Sequence, residues 1–381
     1  MTERSAGEGF AVVVLVLTFV HELPLGRIDV NIPGLLTAVA VSGLALALRG
    51  SVDRRALVLI SIIGFVSFLY SPIHPRFLDS VVYIAYFLPT LFLSTQLNAG
   101  QLSSLIRRVA AVMVITFMIL YALRIGIDFN YGSRRMQGLL SEPSAMAFPL
   151  SILVTAWLAE RRFLLLLLIA LPAVWLAQSP TVVVAIVLSL GMLAFMRLPA
   201  AGKVGIAVLI IAIFMNIIRI LNGLYVLTGA FILKRLSDGI LSVLTLGGMG
   251  YNTRVAGLLG FFSDVSSNMA ILLFGRGLNS ATEFYKAKGS LRLTYNLPAE
   301  VMFSFGLVGL VVFFISLVWA ITRIGRRPIA LVFYPIVAYT LINSAMGMQY
   351  QYLFYVFLLV IAREGPHGND SRSSRHTFHK F

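Results

Sequence analysis

Continuous apolar runs fill most of this chain and leave it one plausible solvent. Twelve can be marked: Phe10–Leu23, Ile32–Leu48, Ala56–Tyr70, Leu78–Ser94, Leu105–Leu123, Ala145–Ala159, Phe163–Ala177, Thr181–Met196, Val204–Leu221, Leu297–Ile321, Ile329–Ala345 and Tyr350–Ala362. A membrane-spanning helix needs roughly 20 mostly apolar residues, because each rises ~1.5 Å across a ~30 Å hydrocarbon core. Several runs are short for that, the first and last most clearly. The chain is 59% hydrophobic and 12% charged over 381 residues, more apolar surface than a water-soluble interior of that size can hide. The runs do not alternate, which disfavours a barrel. The expected fold is all-α: a polytopic integral-membrane helical bundle of about twelve spans. Residues 1–221 would hold nine of them, 222–296 a large loop of short helices, 297–362 the last three, and 363–381 a polar tail.

A formal net charge of +15 invites a nucleic-acid reading, but the basic residues sort by loop. Alternate connections carry Arg49, Arg54 and Arg55; Arg107 and Arg108; Arg161 and Arg162; Arg197 and Lys203; and Arg323, Arg326 and Arg327. The intervening short loops hold only Arg27 and Arg76, with Arg134 and Arg135 as the exception. Cytoplasmic loops are the ones enriched in Lys and Arg. Both termini are therefore expected inside, and the segments 124–144 and 222–296 outside. Orientation accounts for the charge, and no nucleic-acid partner is called for. The chain has no cysteine, so disulfides and thiolate metal sites are ruled out. The leader before the first run carries Glu3 and Glu8 rather than a basic stretch, and no small-residue cleavage site precedes His21, so that run is expected to be retained.

No internal repeat is visible, unlike the repeats common in secondary transporters. Pro89, Pro149, Pro172 and Pro335 fall inside apolar runs and are expected to kink helices whose neighbours satisfy the freed carbonyls. Within the large loop, Phe231–Leu246 reads as an amphipathic helix, suited either to the membrane interface or to packing over the bundle. Asn252-Thr253 can cap a short helix from Arg254, and Ala270–Phe274 is a third apolar piece, ended by Gly275-Arg276-Gly277.

Two external clusters could carry chemistry. The first runs from Arg134-Arg135 through Gly138 to Glu142-Pro143-Ser144 at the mouth of a span. Ser141 or Ser144 could cap that helix, with Glu142 favoured by its dipole. Alternatively, Glu142 lies in a water-filled cavity and orients an arginine or accepts a proton. The second cluster is Arg254, then Gly275-Arg276-Gly277 with Asn279, then Tyr295-Asn296. A guanidinium stays charged and matches phosphate oxygens with a planar fork, and glycines let backbone approach a ligand. Ser280 stands where a dinucleotide fingerprint needs glycine, and there is no P-loop. A solvated arginine or a lipid-headgroup contact is the bland alternative for each. The histidines His21, His74, His367, His376 and His379 are scattered. The external carboxylates, Asp29, Asp79, Asp128, Glu142, Asp238, Asp264, Glu283 and Glu300, include no Asp-x-Asp pair, so a hard divalent ion is poorly served.

On these residues, and on Phe305-Gly306-Leu307-Val308-Gly309 in the span after Asn296-Leu297, the chain resembles the O-antigen polymerase and O-antigen ligase superfamily of bacterial inner-membrane glycan-joining enzymes. About twelve spans with the largest external loop before the last three fits the same pattern. The resemblance implies a metal-independent, cofactor-free glycosyltransferase with a GT-C-like fold in the bacterial cytoplasmic membrane. Its donor would be a polyprenyl-pyrophosphate-linked glycan used on the external face, with a flippase and a chain-length regulator as partners beside the lipid bilayer. Arg135 and Arg254 would neutralise the departing pyrophosphate, helped by Arg134 and Arg276. Glu142 would be a base or an arginine orienter, and Gly275, Gly277, Asn279, Tyr295 and Asn296 would line the substrate. Ligases of the group carry a histidine directly before the asparagine that precedes the span, and Tyr295 holds that place here. The expectation is therefore a repeat-unit polymerase making O-antigen, capsule or exopolysaccharide. Ligase-type transfer and a transporter of lipid-linked glycans are the alternatives, and a cell-wall glycosyltransferase using Asp264 or Glu283 is a third.

Overall fold

The computed structural model describes residues 97–125, 127–128, 134–136, 143–199, 219–227, 268–277, 297–325, 327–342 and 351–364, with a few single positions between 54 and 237. Of this part 86% is helical, so the all-helical expectation is met there. Three helices are long and apolar enough to cross a membrane: Ala99–Ala122, Pro180–Arg197 and Glu300–Ile324. The first four apolar runs lie almost wholly outside the described residues, as does most of 228–296. The count of twelve spans extends over those residues.

Eight helices make the described bundle: α1 (Ala99–Ala122), α2 (Ala147–Ala159), α3 (Phe163–Ala177), α4 (Pro180–Arg197), α5 (Met269–Phe274), α6 (Leu297–Ile324), α7 (Ala330–Ile342) and α8 (Gln351–Glu364). Residues 219–227 are also helical, so that helix runs past Leu221. α1 begins earlier than hydropathy suggests, because Asn98 and Gln101 form a reciprocal capping box at its start. The cap expected from Ser141 or Ser144 is not what opens α2. A 3-10 turn over Pro143–Met146 leads into it, and Met146 at the cap position makes no side-chain cap bond.

The prolines behave differently from one another. Pro149 falls in the first turn of α2, where a missing N–H costs nothing, so it need not kink the helix. Pro172 follows a π-helical stretch, Leu166–Ala170, inside α3. That wider turn contains Leu168, whose carbonyl a regular helix would press against the proline ring. Pro335 sits in the interior of α7. Pro89 lies outside the described residues.

α2 and α7 form the centre, packed on each other and on α4, and both are buried on nearly every side. Helices apolar all round belong in such a place. Phe148 meets Tyr339 edge-on between them, ring centroids 5.6 Å apart. α4 offers the pair a stripe of Thr181, Ala185 and Ser189, small side chains that allow close approach between membrane helices. Phe313, Phe333 and Phe354 join α6, α7 and α8, with Phe333 stacked on Phe354 at 6.1 Å. The outward faces carry Val112, Ile115 and Ile119 on α1, Leu164, Leu167 and Trp175 on α3, and Val311, Ile315 and Val318 on α6. So broad an exposed apolar surface is untenable in water and natural in lipid.

The charged residues gather at helix ends. Glu364, at the end of α8, accepts from the Ala99 N–H at 2.7 Å, and Arg363 donates to the Leu97 carbonyl at 2.6 Å. The last described helix is thereby clasped to the first turn of α1, where a carboxylate is favoured by the helix dipole. Glu160, in the turn after α2, pairs with Arg107 and with Arg162. These pairs are partly exposed and worth about 0–1 kcal/mol each. Arg323 lies over the Trp319 ring near the end of α6. A small two-stranded ladder departs from the all-helical expectation: β1 (Ile127–Asp128) pairs antiparallel with β2 (Arg135–Met136) beyond the far end of α1.

α6 is not one straight span. At Gly306 the backbone turns to φ 65° and ψ −162°, dividing it into arms 297–305 and 307–324. Val301 Cγ1 lies 3.5 Å from where a side chain on Gly309 would begin. Eight residues along a regular helix would be separated by about 12 Å, so the two arms bend sharply towards each other at Gly306. The expected Leu297–Ile321 run is thus an apolar helix long enough to span a membrane, with a break at Gly306. A Cβ at Gly306 would collide with the Leu273 and Phe274 backbone, whereas one at Gly325, also at positive φ, would meet only the Thr322 carbonyl at 3.9 Å. Replacing Gly325 with alanine is expected to cost only the left-handed strain, ~1–2 kcal/mol. Gly306→Ala adds the collision and is expected to lower the thermal midpoint of the solubilised protein well beyond Gly325→Ala. Equal midpoints for the two variants would refute the crossing.

Candidate functional site

The Gly306 fold is sustained by a second segment. Asn268 caps α5 by accepting from the Ala270 and Ile271 N–H groups, and α5 ends at Gly275, whose N–H bonds the Ile271 carbonyl. The chain then lies across α6 just before its break. The Arg276 N–H donates to the Phe303 carbonyl at 2.8 Å, and the Gly277 N–H to the Ser304 carbonyl at 3.1 Å. Backbone groups at a helix break in apolar surroundings must find partners inside the protein, and here a strap of backbone supplies them. The approach is so close that a Cβ on Gly275 would strike the Ser304 and Phe305 backbone. Gly275 and Gly277 were expected to let backbone approach a ligand. In the structure Gly275 admits the α6 backbone, and the Gly277 N–H bonds it.

Arg276 is thus delivered to the crossing by its own main chain. Two polar residues on the same arm of α6 are buried. Glu300, one helical turn before Phe303, is 4% exposed. The Ser304 hydroxyl is fully buried and makes no hydrogen bond among the described residues. In the sequence Glu300 stands as an external carboxylate with no assigned part, and nothing singles out Ser304. A carboxylate inside an apolar run was the available signal, since ionisable residues at membrane depth mark functional sites by default.

The first cluster splits. Arg134 is exposed, and its carbonyl accepts from the Tyr121 hydroxyl at 3.3 Å. Arg135 is 6% exposed beside fully buried Met136, on a strand packed against α1 and α3. The ladder register sets Asp128 opposite Arg135. Placing a guanidinium in so apolar a setting carries a desolvation cost of several kcal/mol unless paired, which sets Arg135 apart from its neighbour.

Arg135 and the Gly306 crossing occupy the same end of the bundle. The ladder follows the C-terminal end of α1, away from the Arg363–Leu97 clasp, and Gly306 heads the long arm of α6, away from the Arg323–Arg327 turn. Arg254, Glu142, Asn279, Tyr295 and Asn296 lie outside the described residues, as do the amphipathic stretch 231–246 in the main and the helix expected after Asn252. Among the described residues no three His, Asp or Glu side chains come together as a metal site. The chemistry on view among the described residues is that of one buried arginine, Arg135, a half-buried one, Arg276, a buried carboxylate and hydroxyls. Comparison with protein-family models, curated proteins and solved structures finds no match to this chain.

Removing a buried hydroxyl that has no partner is close to neutral, because no bond is lost and a desolvation cost is relieved. Ser304→Ala is expected to keep stability within about 0.5 kcal/mol of the parent. A larger loss in a thermal or denaturant titration would show that the hydroxyl holds the crossing together.

Proposed function

We propose that this protein is a metal-independent membrane glycosyltransferase that polymerises polyprenyl-pyrophosphate-linked oligosaccharide units on the outer face of the bacterial cytoplasmic membrane. The observation that supports the reading is a buried arginine, Arg135, at the same end of the apolar bundle as the Gly306 crossing to which the main chain of Arg276 is bonded. In the proposed reaction an acceptor hydroxyl attacks the anomeric carbon, and the bond to the pyrophosphate oxygen breaks with its electron pair. The negative charge growing on that leaving group is met by Arg135 and Arg254, with Arg134 and Arg276 assisting. Preorganised donors in a water-poor site are worth ~3–4 kcal/mol each in such a role. Glu142 receives the hydroxyl proton or orients an arginine. The basic clasp end would face the cytoplasm and the ladder end the exterior.

One observation favours a second reading. Broken helices, as α6 is at Gly306, are the devices by which many transporters build a substrate site, so movement of a lipid-linked glycan is the alternative function. A reconstituted system separates the two. A polymerase lengthens the glycan while the lipid stays in its leaflet, and a transporter moves labelled lipid without lengthening it.

Arg135→Ala and Arg254→Ala are each expected to abolish long-chain polysaccharide while the protein still inserts in the membrane. Normal chain lengths in both would remove the mechanism. The cysteine-free chain also permits a direct topology test. Ser290→Cys should react with a membrane-impermeant maleimide in intact cells, and Ser373→Cys only after permeabilisation. The reverse pattern would place the arginines on the wrong side for a lipid-linked donor.

A further inference from the structure

α5 turns an apolar face away from the described protein. Met269 is 67% and Phe274 56% exposed, Leu273 lies open beside them, and α5 packs on α6. Its backbone is nevertheless answered from within. Asn268 accepts from the Ala270 and Ile271 N–H groups with its side chain and from the Leu272 N–H with its carbonyl. At the other end the N–H groups of Gly275, Arg276 and Gly277 all donate to carbonyls of α5 and α6. A loop in water can leave such groups to the solvent. A segment in hydrocarbon cannot, so satisfaction of this kind is what lipid demands.

Position points to the same solvent. The backbone of Leu273 and Phe274 abuts Gly306. From there the exposed apolar band Val308, Val311, Ile315 and Val318 runs down α6. Residues 307–324 would rise about 27 Å as a regular helix, close to the ~30 Å hydrocarbon core. With Arg323 and Arg327 at one boundary, Gly306 falls at the other. α5 therefore continues the lipid-facing band of α6, at the level where acyl chains meet headgroups.

We propose that the exposed face of α5 is seated in the acyl chains of the bilayer, so that the large loop dips into lipid at 268–277 beside the Gly306 break. An apolar helix face lying in the interface sinks by roughly 5–10 Å, to the boundary of headgroups and acyl chains. That is the depth which the length of α6 gives to Gly306. The contact holds the strap, and with it the crossing, at the lipid surface whichever chemistry the ladder end performs.

The cysteine-free chain lets one spin label at a time report its solvent. Full-length protein in phospholipid nanodiscs, carrying Met269→Cys or Phe274→Cys, is measured against Ile315→Cys on the lipid-facing band and Ser373→Cys in the polar tail. Molecular oxygen collects among acyl chains, and a nickel chelate stays in water. Both α5 labels are expected to collide freely with oxygen and little with the chelate, as at Ile315→Cys, but at a shallower depth. The aqueous pattern of Ser373→Cys at both positions would overturn the proposal. So would weak collision with both reagents, which would mean that protein covers the face. Spin–spin broadening that disappears on dilution with unlabelled chain would then identify a second copy as the cover, and its absence the rest of the loop. The parent protein supplies a check free of substitutions. With phospholipid carrying a photoactivatable diazirine in its acyl chain, adducts are expected on the peptide containing 269–274 as well as on the one containing 308–318. Adducts confined to the second peptide would overturn the proposal.

Discussion

Backbone hydrogen bonding at one helix break governs the described architecture around the candidate site. In a lipid-solvated bundle a carbonyl cannot turn to water, so a helix may break only where another part of the protein answers it. At Gly306 the answer is the main chain of Arg276 and Gly277, bonded to Phe303 and Ser304. That requirement explains why glycine occurs on both sides of the crossing, since a Cβ at Gly275 or at Gly306 would occupy the other segment's backbone.

The two ends of the bundle differ in character. At one, Glu160 gathers Arg107 and Arg162, while Arg363 and Glu364 close the last described helix onto the start of α1. These contacts are partly exposed and resolve charge into pairs and caps, as befits a stable anchoring surface. At the other, Arg135 is buried and the main chain of Arg276 is bonded to α6. The proposed function places its anionic group at this end.

Much of the framework was legible in the residues. Apolar runs marked α2, α3, α4 and α7 to within a few residues, because helices buried in lipid or in one another need no polar face. α1 ran longer than its apolar run, since its first turns are set by the Asn98–Gln101 box rather than by hydropathy. The site was less legible. Arg134 and Arg135 are indistinguishable as letters, yet one is exposed and the other buried, because the ladder and the packing of α1 and α3 decide which enters the protein. Gly275-Arg276-Gly277 was read as a ligand-facing motif. Gly275 is required by a helix that approaches from beyond the loop, which local sequence cannot announce. Glu300 was visible as a carboxylate but not as a buried one, since its depth follows from the fold at Gly306.

What the chain's own letters determined is local: helix-forming stretches, helices apolar enough to cross a membrane and the sorting of basic residues among connections. These follow from hydropathy and charge, which act residue by residue. Tertiary structure alone decided that α6 breaks at Gly306, that a strap lies across the break, and that one arginine and one glutamate are withdrawn from solvent. Each depends on two segments far apart in sequence satisfying one another's backbone or excluding one another's water, and no pattern within either segment contains that information.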